Sequence, residues 1–418
     1  IRQLLYVFRK LEDAQCLESD QGSYDAWCKR QDEMQGPLSV QQNCILETLR
    51  SHLRILLPDD ITPEDLIPDI GPGASFEKRR HCDRPDYNNG PLAFAGSQTE
   101  PLTKVSRFVC VPKNYKRKRL IFVEPSSQML VQKGIQAWLH EQAKKYPWRI
   151  YSNLEDQNYQ RQKLRKSGAS TIDLSDASDW IDRRVMWSFL RERPYLRSLA
   201  FAYRSDRVVS DHRRINSFST MGNATTFPLM TLLLTCVLME AEHGIHIGFH
   251  GGVFGDDIVC DSVIFGSCCG ILSQLGLKIN MTKSFVGGPF VESCGIDLYR
   301  SVDVTPVKIK SLRTVELSCF DRLLAYTNSL FIAGYWRASD VVLSELLARF
   351  PKTSFGPIGA PDCVWSHTAI TYDGPYSRDY QRFTAWLPKR EVADCQFSDS
   401  PANLQFWLAH GRRATGVE

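Results

Sequence analysis

Gly255-Asp256-Asp257 sets two adjacent carboxylates after a glycine, between the apolar runs Gly252-Val253-Phe254 and Ile258-Val259-Cys260. Apolar run, tight turn and apolar run predict a hairpin with both acids at its tip. A second set of acids lies between Ser170 and Asp179, where alternation around Ile172 predicts a strand ending close to Asp173. Two carboxylate clusters at strand ends are the donor pattern of a two-metal site, because hard divalent cations take carboxylate oxygens. An isolated Gly-Asp-Asp is more often a solvated turn, so the motif gains its meaning from its neighbours.

The neighbours are cationic. Between the apolar segments Phe108 to Val111 and Leu120 to Val123, five of the seven residues from Lys113 to Arg119 are Lys or Arg. A charge run alone reads as a solvated face, but strands on both sides fix this one in place, which makes it a candidate anion-binding hairpin. A second run, Arg161 to Lys166, precedes the first acid cluster. Two basic runs beside two acid clusters point to nucleic acid.

These side chains need elements to hold them. Helix-like spacing marks residues 1 to 58, for example Leu4, Leu5, Phe8 and Leu11, then Ile45, Leu49, Leu53 and Leu56. Residues 58 to 100 are loop-rich, with Gly71 to Ser75 and Asn88 to Pro91 as strong breakers. Ile181, Val185 and Phe189 predict a helix starting near Asp179. Ser219 to Asn223 forms a polar loop leading into a buried helix from about Pro228 to Glu240, and a short helix is expected from Ile264 to Leu275. After residue 306 the chain reads as helix and loop, with an amphipathic stretch from Val315 to Tyr335.

A chain of 418 residues with 43% hydrophobic and 11% aromatic content supplies a large core and more than one lobe. The net charge of +4 neither demands nor excludes a polyanion. Thirteen cysteines without a Cys-x-x-Cys pair predict free thiols in a reducing cytosol rather than zinc or disulfides. No run reaches the roughly 20 apolar residues of a membrane span, so no membrane partner is expected. Ile1 stands where an initiator methionine would be, with no basic-then-apolar leader pattern, which predicts a fragment or trimmed product.

The order of features strongly resembles the palm motifs of viral RNA-directed RNA polymerases, and more narrowly the catalytic (beta) subunit of levivirus replicases, from positive-strand RNA phages. The resemblance rests on Val111 to Asn114, Glu124-Pro125, Thr171 to Asp179, Ser219 to Asn223, Gly255-Asp256-Asp257, Gly288-Pro289-Phe290, Glu292 to Gly295 and Asp303 to Pro306. It spans residues 71 to 306. Phe254 stands where that family more often has tyrosine, and Val291 where arginine is usual; neither is a metal ligand.

The resemblance implies an α+β, right-hand polymerase fold of fingers, palm and thumb, its antiparallel palm sheet flanked by helices. Residues 1–165 would form the N-terminal helical region and fingers, and 166–305 the palm, with a short fingers insertion near 192–215. Residues 306–418 would form a mainly helical thumb and C-terminal region. Asp173 and Asp256 would be principal ligands of two Mg2+ ions, with Mn2+ as a substitute, and Asp257 a secondary ligand. Lys113, Lys116, Lys118 and Arg119 would grip the incoming triphosphate, with Lys113 and Arg119 favoured. Lys283 would protonate pyrophosphate, against the equal weight of an ordinary surface lysine. Asp179, Ser219, Gly222 and Asn223 would form the nucleotide group that accepts the ribose 2′-hydroxyl, in contrast to the bulky residue of reverse transcriptases. The implied partners are RNA template and product, ribonucleoside triphosphates, and host elongation factors Tu and Ts with a small-subunit ribosomal protein, in the cytoplasm of an infected bacterium. The competing readings are a reverse transcriptase and a catalytically silent RNA-binding protein of the same fold; a structural virion protein would need no such acid clusters.

Overall fold

In the computed structural model, the structure describes residues 2–13, 18–67, 76, 104–113, 117–308, 318–356, 358–359, 363–365, 376–377 and 382–383. The breakers at 71–75 and 88–91, Lys116, and the start of the stretch expected from Val315 lie outside the described residues. The chain divides into two compact units, one of residues 17–304 with 397–418, the other of 1–16 with 305–396.

The larger unit begins with α2 (Asp20–Glu33) and α3 (Val40–Leu56), which follow α1 (Arg2–Asp13) of the other unit. Ser39 caps α3 in a reciprocal capping box with Gln42, satisfying backbone donors that a helix start leaves open. Next come β1 (Val105–Pro112), β2 (Lys118–Val123), α4 (Ser126–Ala143), α5 (Gln157–Leu164) and β3 (Ala169–Ile172). Four helices or strands of the next segment follow: α6 (Ala177–Trp180), α7 (Arg183–Phe189), α8 (Pro194–Ala202) and β4 (Arg207–Val208). Then come α9 (Thr226–Glu242), β5 (Gly252–Phe254), β6 (Asp257–Asp261), α10 (Phe265–Gln274), β7 (Phe290–Ser293), β8 (Ile296–Tyr299) and β9 (Val302–Asp303).

Three small sheets organise the unit, with strand orders β2-β1-β4, β3-β6-β5 and β7-β8-β9. The central sheet is antiparallel throughout, with Ile172 opposite Ile258 and Phe254 opposite Asp257. It is packed against α9, where Leu229, Leu232, Leu233, Cys236 and Val237 are fully buried, with Ile172, Val253 and Ile258 in the same core. Each such leucine contributes on the order of 1.5–3 kcal/mol by leaving water. α3 lays Leu46, Leu49 and Leu53 into this core and is tied to α9 by His52 Nε2 and Glu240 Oε2, 2.8 Å apart. The helices expected near Pro228 and Ile264 and the strands flanking the basic run are therefore observed.

A second core joins α2 to the β1–β2 hairpin through Tyr24, Trp27, Phe108 and Phe122, with the Tyr24 and Phe108 rings stacked at 4.4 Å. In the smaller unit, α11 (Ser318–Ile332) packs on α12 (Trp336–Arg349) over Leu324 and Leu346, with short strands β10 (Phe355–Gly356), β11 (Val364–Trp365), β12 (Tyr376–Ser377) and β13 (Arg382–Phe383). Gln3 of α1 exchanges hydrogen bonds with the Val307 backbone at 3.1 and 2.7 Å, which ties residues 1–16 to this unit rather than to the helices that follow them. No described helix is long and apolar enough to cross a membrane, and nine described cysteines are free.

Candidate active site

β5 and β6 are joined by a two-residue turn at Gly255 and Asp256. Gly255 takes φ +65°, the sense that matches the right-handed twist of a hairpin, and a Cβ there would meet the Phe227 ring at 2.9 Å. Gly255 N–H donates to Thr231 Oγ1 of α9 at 3.0 Å, which fixes the turn to the core helix. Asp256 thus occupies the tip, whereas Asp257 is the first residue of β6 opposite Phe254. That corrects the expectation of both acids at the tip: the turn holds only two residues, and the glycine takes one.

β3 ends at Ile172 beside Ile258, so Asp173 emerges alongside the turn. The segment 277–285 closes the other edge of β3: Thr171 and Phe285 exchange backbone hydrogen bonds at 2.8 and 2.9 Å, and Asn280 N–H donates to Asp173 O at 2.8 Å. Asn280 Nδ2 also donates to Asp173 Oδ2 at 2.8 Å, and Asp173 N–H to Ser284 Oγ at 3.1 Å. Asn280 aims the carboxylate, and its role was not legible from residue type alone.

Asp256 is exposed at the tip of the turn. Crowding by protein pushes its carboxyl up, Asp173 adds repulsion, and Lys113 and Arg119 pull it down. Burial first, then Asp256, pushes Asp257 up to about 7, and the Cys294 thiol bonded to it works in the opposite direction. Cys294 and Gly295, with φ of +48° and +69°, form the β7–β8 turn that delivers this thiol. The three aspartates therefore repel one another, which is the electrostatic state that a bound divalent cation relieves.

The basic hairpin overlies the acids in a face-specific way. Alternation in β2 turns Phe122 into the α2 core, and with it Lys118, whose Nζ pairs with Asp20 at 2.7 Å. Arg119, on the opposite face, acts on Asp256 together with Lys113. Lys113 and Arg117 both approach Asp176, at 3.9 and 3.7 Å. Sequence reading passed over Arg117; pairing positions by strand alternation would have found it. Of the second basic run, Arg161 donates to Cys294 O at 3.1 Å and Lys163 to Ile150 O and His250 O at 2.8 Å each, so both are structural. Burial lowers Lys163 to about 8.

Asp176 takes a left-handed conformation, φ +50°, that aspartate tolerates better than most residues. Arg30 of α2 completes its surroundings at 3.8 Å and pairs with Asp179 at 3.0 Å. Burial raises Asp179 to about 6, while Arg30 holds it down. Asp179 lies within α6. Phe218 N–H donates to Ile181 O at 2.6 Å, which brings Ser219 beside this segment. Ser219 Oγ is 2.9 Å from Thr226 Oγ1, and Asn223 Oδ1 accepts from Thr225 N–H and Oγ1 at 2.8 and 2.7 Å. Asn223 Nδ2 lies 3.5 Å from Glu124, a fully buried carboxylate that also accepts from Ser205 at 2.6 Å and is raised by burial. Ser219 and Asn223 are buried with these partners, while Gly222 is exposed. Lys283 is exposed and makes no ion pair with the three aspartates among the described residues; its backbone N–H donates to Asn280 O at 3.0 Å.

Among the described residues no three His, Cys, Asp or Glu side chains form a ready cage for a metal. Magnesium does not require one: it is commonly held by one or two carboxylates, with water and substrate phosphates completing the shell. Asp173 and Asp256 fit that partial donor set.

A family model described as RNA replicase, beta-chain, matches residues 78–334. The RNA-directed RNA polymerase beta chain of Escherichia phage MS2 is 40% identical over 209 residues, covering 48% of this chain and 37% of that protein. The corresponding beta subunit of Enterobacteria phage SP is 31% identical over 299 residues, 66% of this chain and 49% of that protein. The chain thus spans between about two fifths and half of the length of these relatives. Among solved structures, the RNA-dependent RNA polymerase of a human picorbirnavirus overlays with TM-score 0.43 at 11% identity, covering 58% of this chain and 55% of that one.

Proposed function

The chain belongs to the RNA replicase beta-chain family, whose model matches more than half of it, and from that premise we propose that it carries the catalytic part of an RNA-directed RNA polymerase that replicates a positive-strand RNA phage genome. The observation that carries the reading is the convergence of Asp173, Asp256 and Asp257 under the cations Lys113 and Arg119. The β3-β6-β5 sheet would be the palm within residues 166–305, residues up to 165 and the segment 192–215 the fingers, and residues 306–418 the thumb.

Asp173 and Asp256 would hold two magnesium ions, with Asp257 in a secondary place. Bound magnesium supplies a more acidic 3′-hydroxyl on the growing strand and charge neutralisation at the departing pyrophosphate. Asn280 orients Asp173 for that task. Lys113, Arg117 and Arg119 bind the triphosphate of the incoming nucleotide; Lys118, committed to Asp20, serves the hairpin instead. Asp179 accepts the ribose 2′-hydroxyl, and the buried Ser219, Asn223 and Glu124 brace the loop that lies against it. Lys283 is the proposed proton donor to pyrophosphate. The family resemblance adds host elongation factors Tu and Ts and a ribosomal protein as partners in the bacterial cytoplasm, tested by co-purification from infected cells.

The test is RNA-templated extension in magnesium with ribonucleotides and deoxynucleotides in parallel. Incorporation of ribonucleotides with strong discrimination against deoxynucleotides is expected. Equal or preferential deoxynucleotide use would favour a reverse transcriptase, and no incorporation beside intact RNA binding would favour the catalytically silent protein.

A further inference from the structure

α2 presents different faces to different partners at its last turn. Arg30 reaches Asp179, whereas Asp32, two residues on and so about 200° around the helix, pairs with Arg213 at 2.7 Å. On that other side lies a cleft of about 480 Å³ lined by Arg183, Arg184, Arg213, Arg214, Asp32 and Asn216, with the turn 34–36 as its floor. Four guanidinium groups thus face one cavity that contains a single carboxylate.

Two of the four are spoken for. Arg213 holds Asp32 and lies 4.0 Å from Asp211, and Arg184 is paired with Asp182, its Nε 2.9 Å from Oδ1. Arg183 and Arg214 form no salt bridge among the described residues. Arg183 is half-buried and Arg214 exposed. After burial, the strongest charge effect on Arg183 is repulsion from Arg214, ahead of attraction from Asp182; repulsion from Arg184 likewise outranks attraction from Asp206. Arg183 and Arg214 thus repel each other in a cleft whose one lining carboxylate, Asp32, is already held by Arg213; a phosphate relieves such an arrangement, and guanidinium forks match phosphate oxygens in pairs.

We propose that the cleft around Arg183 and Arg214 is a phosphate-binding site for the backbone of RNA, separate from the aspartate cluster and reached from the opposite face of α2. The choice of RNA as the anion rests on the polymerase reading; the cleft's affinity for phosphate does not. The site reads no base. It holds strand backbone while the aspartates act elsewhere, so it adds affinity and salt dependence rather than sequence preference.

The experiment is fluorescence anisotropy of a short single-stranded RNA on the full chain, in EDTA and without nucleotides, as a function of salt. For Arg183→Gln/Arg214→Gln we expect roughly tenfold weaker binding and a log–log salt slope shallower by about 1.4, from about 0.7 per phosphate contact on single strands. Arg183→Lys/Arg214→Lys keeps the wild-type slope. Arg214→Gln alone, at an exposed position, gives a slope shallower by about 0.7 and serves if the double variant melts early. An unchanged slope in both glutamine variants overturns the proposal, as does loss of inorganic triphosphate binding with RNA binding intact, which would assign the cleft to free nucleotides. Failure of the polymerase reading looks different: no incorporation, with the salt slopes as predicted.

Discussion

Asp176 is where three cations meet one carboxylate, with Arg30, Lys113 and Arg117 between 3.7 and 3.9 Å away. Under the proposed function Asp176 stands where the triphosphate would, so an arriving nucleotide would compete with it for Lys113 and Arg117. Half-exposed pairs of this kind contribute about 0.2–1 kcal/mol each. Asp176→Asn is therefore expected to lower the nucleotide KM about three- to tenfold with kcat little changed, read in steady-state incorporation; a raised KM would show that Asp176 assists binding. Asp179 gives a pH signature. Its carboxyl stands at about 6 in the fold against an ordinary 3.8, so its stabilising effect is fully present below the ordinary value and is lost as pH rises through about 6. At about 1.4 kcal/mol per unit the ceiling is about 3 kcal/mol. Melting curves are expected to show the wild type losing stability between about pH 4 and 7 relative to Asp179→Asn; parallel curves would contradict the raised value. The acids themselves were legible because turn glycines and strand ends announce them. Arg30 and Asn280 were not, since they lie 149 and 107 residues from the aspartates they hold, and nothing local in the sequence encodes that distance.

Alternation in β2 was available from the sequence, but which face met α2 was decided by Trp27 packing on Phe122 and Tyr24 on Phe108, a tertiary contact. That contact sends Lys118 to Asp20 and leaves Arg117 and Arg119 for the acids. The loop 219–223 shows a sharper constraint. Phe122 N–H donates to Met221 O at 2.7 Å, and Gly222, at φ +119°, lies so close that a Cβ would sit 2.1 Å from Phe122 O. Because the obstacle is backbone, it cannot rotate aside. Gly222→Ala is expected to cost about 2–4 kcal/mol, from φ strain plus the clash, seen as a lower urea midpoint with unchanged slope. An unaltered midpoint would mean the loop moves freely off β2. The buried helix around Pro228 was legible from its unbroken apolar run, and the hairpin from its glycine. Asp257's place in the strand rather than the turn was not, because a two-residue and a three-residue loop share the same letters.

For the molecule as a whole, the order of features along the chain carried most of the functional reading, and the family match over residues 78–334 agrees with it. The grouping of residues 1–16 with 305–396 escaped the sequence, because helical periodicity says that a helix has an apolar face without saying what covers it. Asp173 and Asp256 are proposed to form a metal-dependent nucleotidyl-transfer centre. Its most direct test is RNA-templated incorporation of labelled ribonucleotides in magnesium, comparing the chain with Asp256→Asn at matched RNA binding. Incorporation by the unaltered chain and a loss of at least about 100-fold in the variant are expected. Incorporation that survives the substitution would contradict that centre.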